Sequence, residues 1–195
     1  MTQSKLIDFI SKSIVMQPKR VEEVASYFEP LEVKKGKFLL QAGQVCNQYV
    51  FLESGFVRSF ILDLEGNEVN TNFYQPNQIV WEVASYFQRT PSEEYFQALT
   101  DCVCWYSTFE RLQAIFHTIP EFREFGRTNL VRGYIDFKQR TISMINQTAE
   151  QRYKTLLQAQ PEIFQVAPLK QIASFLGVTD TSLSRIRKKM MEAGQ

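Results

Sequence analysis

The chain has 195 residues, of which 44% are hydrophobic and 22% charged, and a net charge of +1. Those fractions exclude intrinsic disorder, and the length suits a domain of ordinary size joined to a smaller one. No segment approaches the roughly 20 apolar residues that cross a bilayer, and the N-terminus lacks the apolar run of a signal peptide, so a cytoplasmic protein without membrane contact is expected. Three cysteines (Cys46, Cys102, Cys104) are too few and too odd for a disulfide scaffold and are expected as buried thiols. Charge is unevenly spread: residues 149–195 carry seven Lys/Arg against four acids, a net +3, which leaves −2 for the remainder. One end of the chain is thus suited to a polyanion.

Residues 4–28 have helical periodicity broken at Pro18, which predicts two short helices. From about residue 30 short apolar runs alternate with turn residues at Gly36, Gly43, Ser54-Gly55, Glu65-Gly66-Asn67 and Pro76-Asn77, predicting about eight strands in an antiparallel β-roll. Ser107-Thr108-Phe109-Glu110 has the form of a capping box and predicts a helix start. Pro120 then opens a helix to about Asn146 with two adjacent stripes, Leu130, Tyr134, Phe137, Thr141, Met144 and Val131, Ile135, Lys138, Ile142, Ile145. Two stripes predict a helix that packs on its own domain with one and on a twin with the other, the first being the expected homodimer seam. A core helix with one wide apolar face is the alternative. A further helix, AEQRYKTLLQAQ, is ended by Pro161.

The segment LKQIASFLGVTDTSLSRIRKKM has the spacing of a helix-turn-helix. Ala173 is small where the second helix crosses, Gly177 can take the left-handed conformation that ends the first helix, and Leu183 packs between the two. Ile172, Leu176, Val178 and Ile186 complete the shared core, and Thr179 is placed to cap the second helix. The start of such a helix points at base edges. Arg185 suits guanine, Asp180 and Thr181 suit other base edges, and Thr179, Ser182, Ser184 and Lys188 suit phosphates of double-stranded DNA.

A roll with KKGKFLLQAG, YVFLESGFVR and LDLEGNEV, then a long helix, then GVTDTSLSRIRKK resembles the Crp/Fnr family of bacterial transcription regulators over nearly the whole chain. The resemblance implies an α+β fold: a β-roll (double-stranded β-helix) sensor domain with its N-terminal helices over residues 1–118, a dimerisation helix over 119–147 and a helix-turn-helix domain over 148–195. It also implies a homodimer on a near-palindromic operator, RNA polymerase as a partner and a small-molecule effector. Members that bind cyclic nucleotides carry Gly-Glu followed by Arg-Ser or Arg-Thr in a phosphate-binding segment. Here the stretch is WEVASYFQRTPSEEYFQAL: Glu82 is kept, Trp81 replaces the glycine, and Ser92-Glu93 or Glu93-Glu94 stands for the arginine pair. Trp81, Glu82, Arg89 and Thr90 are the candidate effector-pocket residues, Arg89-Thr90 being the pair that could restore a shifted site. A carboxylate repels a cyclic phosphate, so an effector other than a cyclic nucleotide is expected, with a cyclic-nucleotide-responsive regulator as the alternative.

Three cysteines fall short of an iron–sulfur ligand set, and His117, the one histidine, is a poor basis for haem ligation, so no cofactor or metal is expected. An enzyme on a cupin-like barrel would need a His/Glu cluster that one histidine cannot supply, and none is expected. The remaining rival is a protein-interaction module with an occluded recognition face. Relative to winged family members, the sequence after the second helix, Met190 to Gln195, predicts a missing or minimal wing, with Phe164–Ala167 as a remnant of sheet.

Overall fold

In the computed structural model, which describes residues 3–193, the chain opens with α1 (Ser4–Ser13) and α2 (Pro18–Ala25). Pro18 occupies the first turn of α2, where its fixed φ suits a helix and its missing N–H is not needed. These helices bury Leu6, Ile10, Val21 and Val24 over one end of the roll, and Phe9 stacks within 4.9 Å of Phe51.

The roll contains β1 (Glu29–Val33), β2 (Phe38–Leu40), β3 (Gln48–Ser54), β4 (Val57–Leu62), β5 (Glu68–Tyr74), β6 (Gln78–Val80), α3 (Val83–Gln88), β7 (Tyr95–Ala98) and β8 (Cys102–Thr108). They form two four-stranded antiparallel sheets, ordered β1-β8-β3-β6 and β2-β7-β4-β5. Val50 and Phe96 lie between them, while Phe51 faces the N-terminal helices through Phe9, with Trp105 as its cross-strand partner. Gly55 joins β3 to β4 at φ +93°, where a Cβ would lie 2.5 Å from the Asp101 carbonyl oxygen, so only glycine fits this turn. All three cysteines are buried and free; burial raises each thiol, that of Cys104 to about 12.

The helix after β8 starts one residue later than the capping box suggests. In α4 (Phe109–Thr118) the cap is Thr108, whose Oγ1 accepts from Arg111 N. Ser107 is fully buried and donates to the Tyr27 carbonyl, because alternation along β8 turns it inward.

α5 (Pro120–Asn146) is followed by α6 (Ala149–Ala159), α7 (Ile163–Val166), α8 (Leu169–Phe175) and α9 (Asp180–Ala193). Only the first turns of α5, through Phe122 and Phe125, are buried on the roll, and every residue from Leu130 to Gln139 is exposed. Neither long stripe is buried on its own domain as expected: both stay exposed along most of their length, and contact with the rest of the chain returns at Arg140, which reaches β5, and at Met144, which reaches Gly177. Phe164 and Val166 lie in α7 and not in sheet, because Ile163 is drawn into the core below α8 and the turn closes helically, with Ala167 N donating to the Ile163 carbonyl at 2.9 Å. From Asp180 to Ala193 the described chain is wholly helical; Gly194 and Gln195, the end of the expected wing region, lie outside the described residues. The C-terminal core unites Tyr153, Leu156, Ile163, Ile172, Ala173, Leu176 and Leu183 with Phe73 and Leu99 of the roll.

Candidate nucleic-acid interface and sensor pocket

The helix-turn-helix is built by the residues that its spacing singles out. Ala173 and Leu183 are fully buried between α8 and α9. Gly177 has φ +66°, so the turn needs glycine for its conformation, and the end of the flexible Met144 side chain lies 2.5 Å from where its Cβ would be. The Thr179 hydroxyl accepts from Ser182 N at 3.2 Å and donates to Ser182 Oγ at 3.0 Å, capping α9. Arg152, which the sequence did not single out, clamps the end of α8: its Nε and Nη2 donate to the Leu176 carbonyl at 3.1 and 2.8 Å.

The two faces of α9 differ sharply. Leu183, Ile186 and Met190 turn inward, whereas Asp180, Thr181, Ser184, Arg185 and Lys188 are exposed on the other side with Thr179 at its start. Ser182 is half-buried beside the cap. Arg185 has no hydrogen-bond or ion-pair partner among the described residues, so its guanidinium is available to a ligand. Lys189 is bound to Glu150 at 2.8 Å, and that pairing holds the Glu150 carboxyl below its usual range. Lys188 lies 3.9 Å from Glu192 at a highly exposed site, a contact weak enough to yield to phosphate.

On α5 the candidate dimer seam is open to solvent: Leu130, Tyr134, Phe137, Thr141 and Met144 are all exposed, Tyr134 at 63% and Phe137 at 66%. Met144 is shared, since its methyl group covers Gly177. A third face of α5, which neither stripe includes, carries Arg140 into contact with both β5 and α8.

Between the sheets lies a cavity of about 500 Å³ whose walls include Leu40, Val50, Val80, Trp81, Glu82 and Phe96. Of the four candidate pocket residues, Trp81 and Glu82 line it and Arg89 and Thr90 do not. Glu82 is the N-cap of α3, a helix that sequence reasoning missed; its two carboxylate oxygens accept from Ala84 N and Ser85 N at 2.9 and 2.5 Å. Arg89 ends α3 in the left-handed conformation at φ +58°. Its guanidinium donates to the Cys46 carbonyl at 3.0 Å and to Asn47 Oδ1, and lies over the Phe109 ring. The Thr90 carbonyl accepts from Ser85 Oγ. Trp81 is wedged among Tyr49, Tyr86 and Phe87. Ser92, one of the two residues that could stand at the place of the family's arginine, is buried and exchanges bonds with the Glu94 backbone. Among the described residues no free cation therefore lines the cavity, and those that do line it do not fit a cyclic phosphate. Among the described residues there is also no His/Cys/Asp/Glu group that could hold a metal, and no helix long and apolar enough to cross a membrane.

Residues 30–118 match the family described as cyclic nucleotide-binding domain. The chain is 25% identical over 186 residues to the transcriptional activator Anr of Pseudomonas aeruginosa, covering 89% of this chain and 74% of that protein. It is 29% identical over 138 residues to Anr of Pseudomonas protegens, covering 70% and 54%. Among solved structures, the c-di-GMP responsive regulator CLP of Xanthomonas campestris superimposes with a TM-score of 0.72 at 16% identity, covering 91% of this chain and 93% of CLP. A Crp/Fnr-family regulator from Eubacterium rectale gives 0.72 at 16% identity over 94% and 89%. Roll, long helix and helix-turn-helix thus follow the order of the fold found in these solved regulators, and the chain is similar to transcription regulators of the Crp/Fnr type over most of its length.

Proposed function

We propose that this regulator works as a homodimer that docks two α9 helices into successive major grooves of a near-palindromic operator, and that its effector is not a cyclic nucleotide. The observation that carries the DNA reading is the outward face of α9, where Thr179, Asp180, Thr181, Ser184, Arg185 and Lys188 stand exposed and the Arg185 guanidinium has no partner among the described residues. Arg185 is assigned to a guanine edge, Asp180 and Thr181 to other bases, and Thr179, Ser182, Ser184 and Lys188 to backbone phosphates. An exposed recognition face also counts against a role confined to protein–protein contact. The open seam on α5, with Tyr134 and Phe137 at its centre, supports pairing with a second copy. Likeness to the two Anr activators suggests that the outcome is activation, with RNA polymerase as the partner at the promoter.

The effector reading rests on charge. Glu82 faces the cavity, Arg89 is engaged elsewhere, and Trp81 fills the place where a glycine would admit phosphate. The deciding experiment is selection from a randomised duplex pool at several salt concentrations with the native chain and with Arg185→Ala. A near-palindrome with steep salt dependence is expected, and relaxed preference at one base pair per half-site in the variant. Absence of enrichment at every salt concentration would sink the proposal. Calorimetric titration with cyclic AMP, cyclic GMP and c-di-GMP is expected to show no heat.

A further inference from the structure

Strands β4 and β5 lose register at one point: Ser59 pairs with Asn72 and Phe60 with Asn70, which leaves Thr71 as the extra residue of a bulge. Bulges re-aim the side chains beside them. Thr71 serves the roll: its hydroxyl lies 2.6 Å from the Oγ of Ser59 on β4, a residue only 1% exposed. Asn70, only 1% exposed, serves the rest of the molecule. Its Nδ2 and its backbone N–H donate to Ser174 Oγ on α8 at 2.8 and 3.1 Å, and Arg58 reaches its Oδ1. Its carbonyl accepts from Arg140 Nη2 of α5 at 3.5 Å. The same nitrogen donates to the Phe175 carbonyl at 3.1 Å, and the Arg140 guanidinium lies over the Phe175 ring, which in turn packs 5.1 Å from Phe73.

We propose that the Asn70–Thr71 bulge is the joint through which the interior of the roll sets the position of the helix-turn-helix. Thr71 and Asn70 are consecutive on one backbone, so a shift of β4 that moves Thr71 through Ser59 must move Asn70. Asn70 holds α8 through Ser174 and α5 through Arg140, so the recognition helix and the long helix move together with it. Buried and hydrogen-bonded on all sides, such a node transmits displacement because it cannot deform gradually.

The first readout needs no DNA: amide hydrogen exchange of the full chain, native and as Ser174→Ala, Arg140→Met and Thr71→Val. Asn70→Ala is not relied upon, since it would strip a partner from the buried Arg58. Each variant is expected to speed exchange in α8 about tenfold while leaving β3 and β8 unchanged. Thr71→Val is decisive, because Thr71 is bonded to the roll interior and not to α8. Unchanged exchange in α8 for Thr71→Val, or for both of the other variants, would overturn the joint. The second readout rests on the DNA-binding reading: on a selected operator the variants are expected to bind about tenfold more weakly and to tolerate half-site spacings that the native chain rejects. Tighter binding by the variants would overturn the positioning role and make the contact a restraint. Faster exchange together with no duplex binding even by the native chain would refute the DNA reading and leave the joint standing.

Discussion

Phe137→Asp is the sharpest perturbation of the proposed dimer. Phe137 is 66% exposed and belongs to neither buried cluster of its own protomer, so the substitution should leave the fold intact. A phenylalanine buries roughly 200 Å² when fully covered, so two-thirds of that, about 130 Å², is left for a twin helix to cover. At about 25 cal/mol per Å² this contributes about 3 kcal/mol per protomer and about 6 kcal/mol per two-fold dimer. Ordering and imperfect fit consume part of the gain; if half survives, about 3 kcal/mol is lost, a weakening of the dimer of more than about a hundredfold. Two carboxylates brought together near a two-fold axis add repulsion. Sedimentation equilibrium across micromolar concentrations is expected to show a dimer for the native chain and a monomer for the variant, with matching far-ultraviolet circular dichroism. An unchanged dimer constant would refute the assignment of this face of α5, and operator binding should fall along with dimerisation.

Gly177→Ala places a Cβ at φ +66° against the Met144 methyl group, and should destabilise the helix-turn-helix by about 1–2 kcal/mol, read as a lower midpoint in urea. The three raised, buried thiols should ignore Ellman's reagent in the native protein at mildly alkaline pH and react only on unfolding; rapid labelling of the folded chain would contradict this. Glu94→Gln tests a half-buried carboxyl. Burial raises Glu94 against the opposing Thr71 hydrogen bond and Arg140 charge, so the folded chain holds this proton more tightly than the unfolded one. Its contribution to stability therefore declines as pH rises from the unfolded value, about 4.3, through the raised folded value. The melting temperature of the variant relative to native should be higher near neutral pH than near pH 4, and the reverse trend would refute the sign.

Local signals made most of the fold legible. Pro120 and Asn146 bound α5 in the structure as in the sequence, and Gly177, Ala173 and Leu183 occupy the steric roles that their spacing implied. The errors have physical causes. Ser107 and Thr108 can both cap a helix, and only the inward alternation of β8, a tertiary matter, decides for Thr108. α3 is six residues long and owes its start to the Glu82 cap, which the sequence offered equally as a ligand contact. Arg89 could have been a phosphate ligand on composition alone; its engagement with Cys46, Asn47 and Phe109 depends on contacts some 20 to 43 positions away. Arg140, Asn70 and Ser174 left no periodic trace, since a junction of three elements has no spacing of its own.

The inclusion of Phe73 and Leu99 in the core beneath α8 bears on how the molecule unfolds. A helical unit of fewer than 50 residues has little apolar interior of its own, and here part of that interior is lent by the sheet. Its melting should then be coupled to that of the roll, giving one calorimetric transition where two independent domains would give two. The C-terminal helices expressed alone would be a poor mimic of the intact regulator, and ageing or damage that loosens the roll would silence DNA recognition before any residue of α9 is altered.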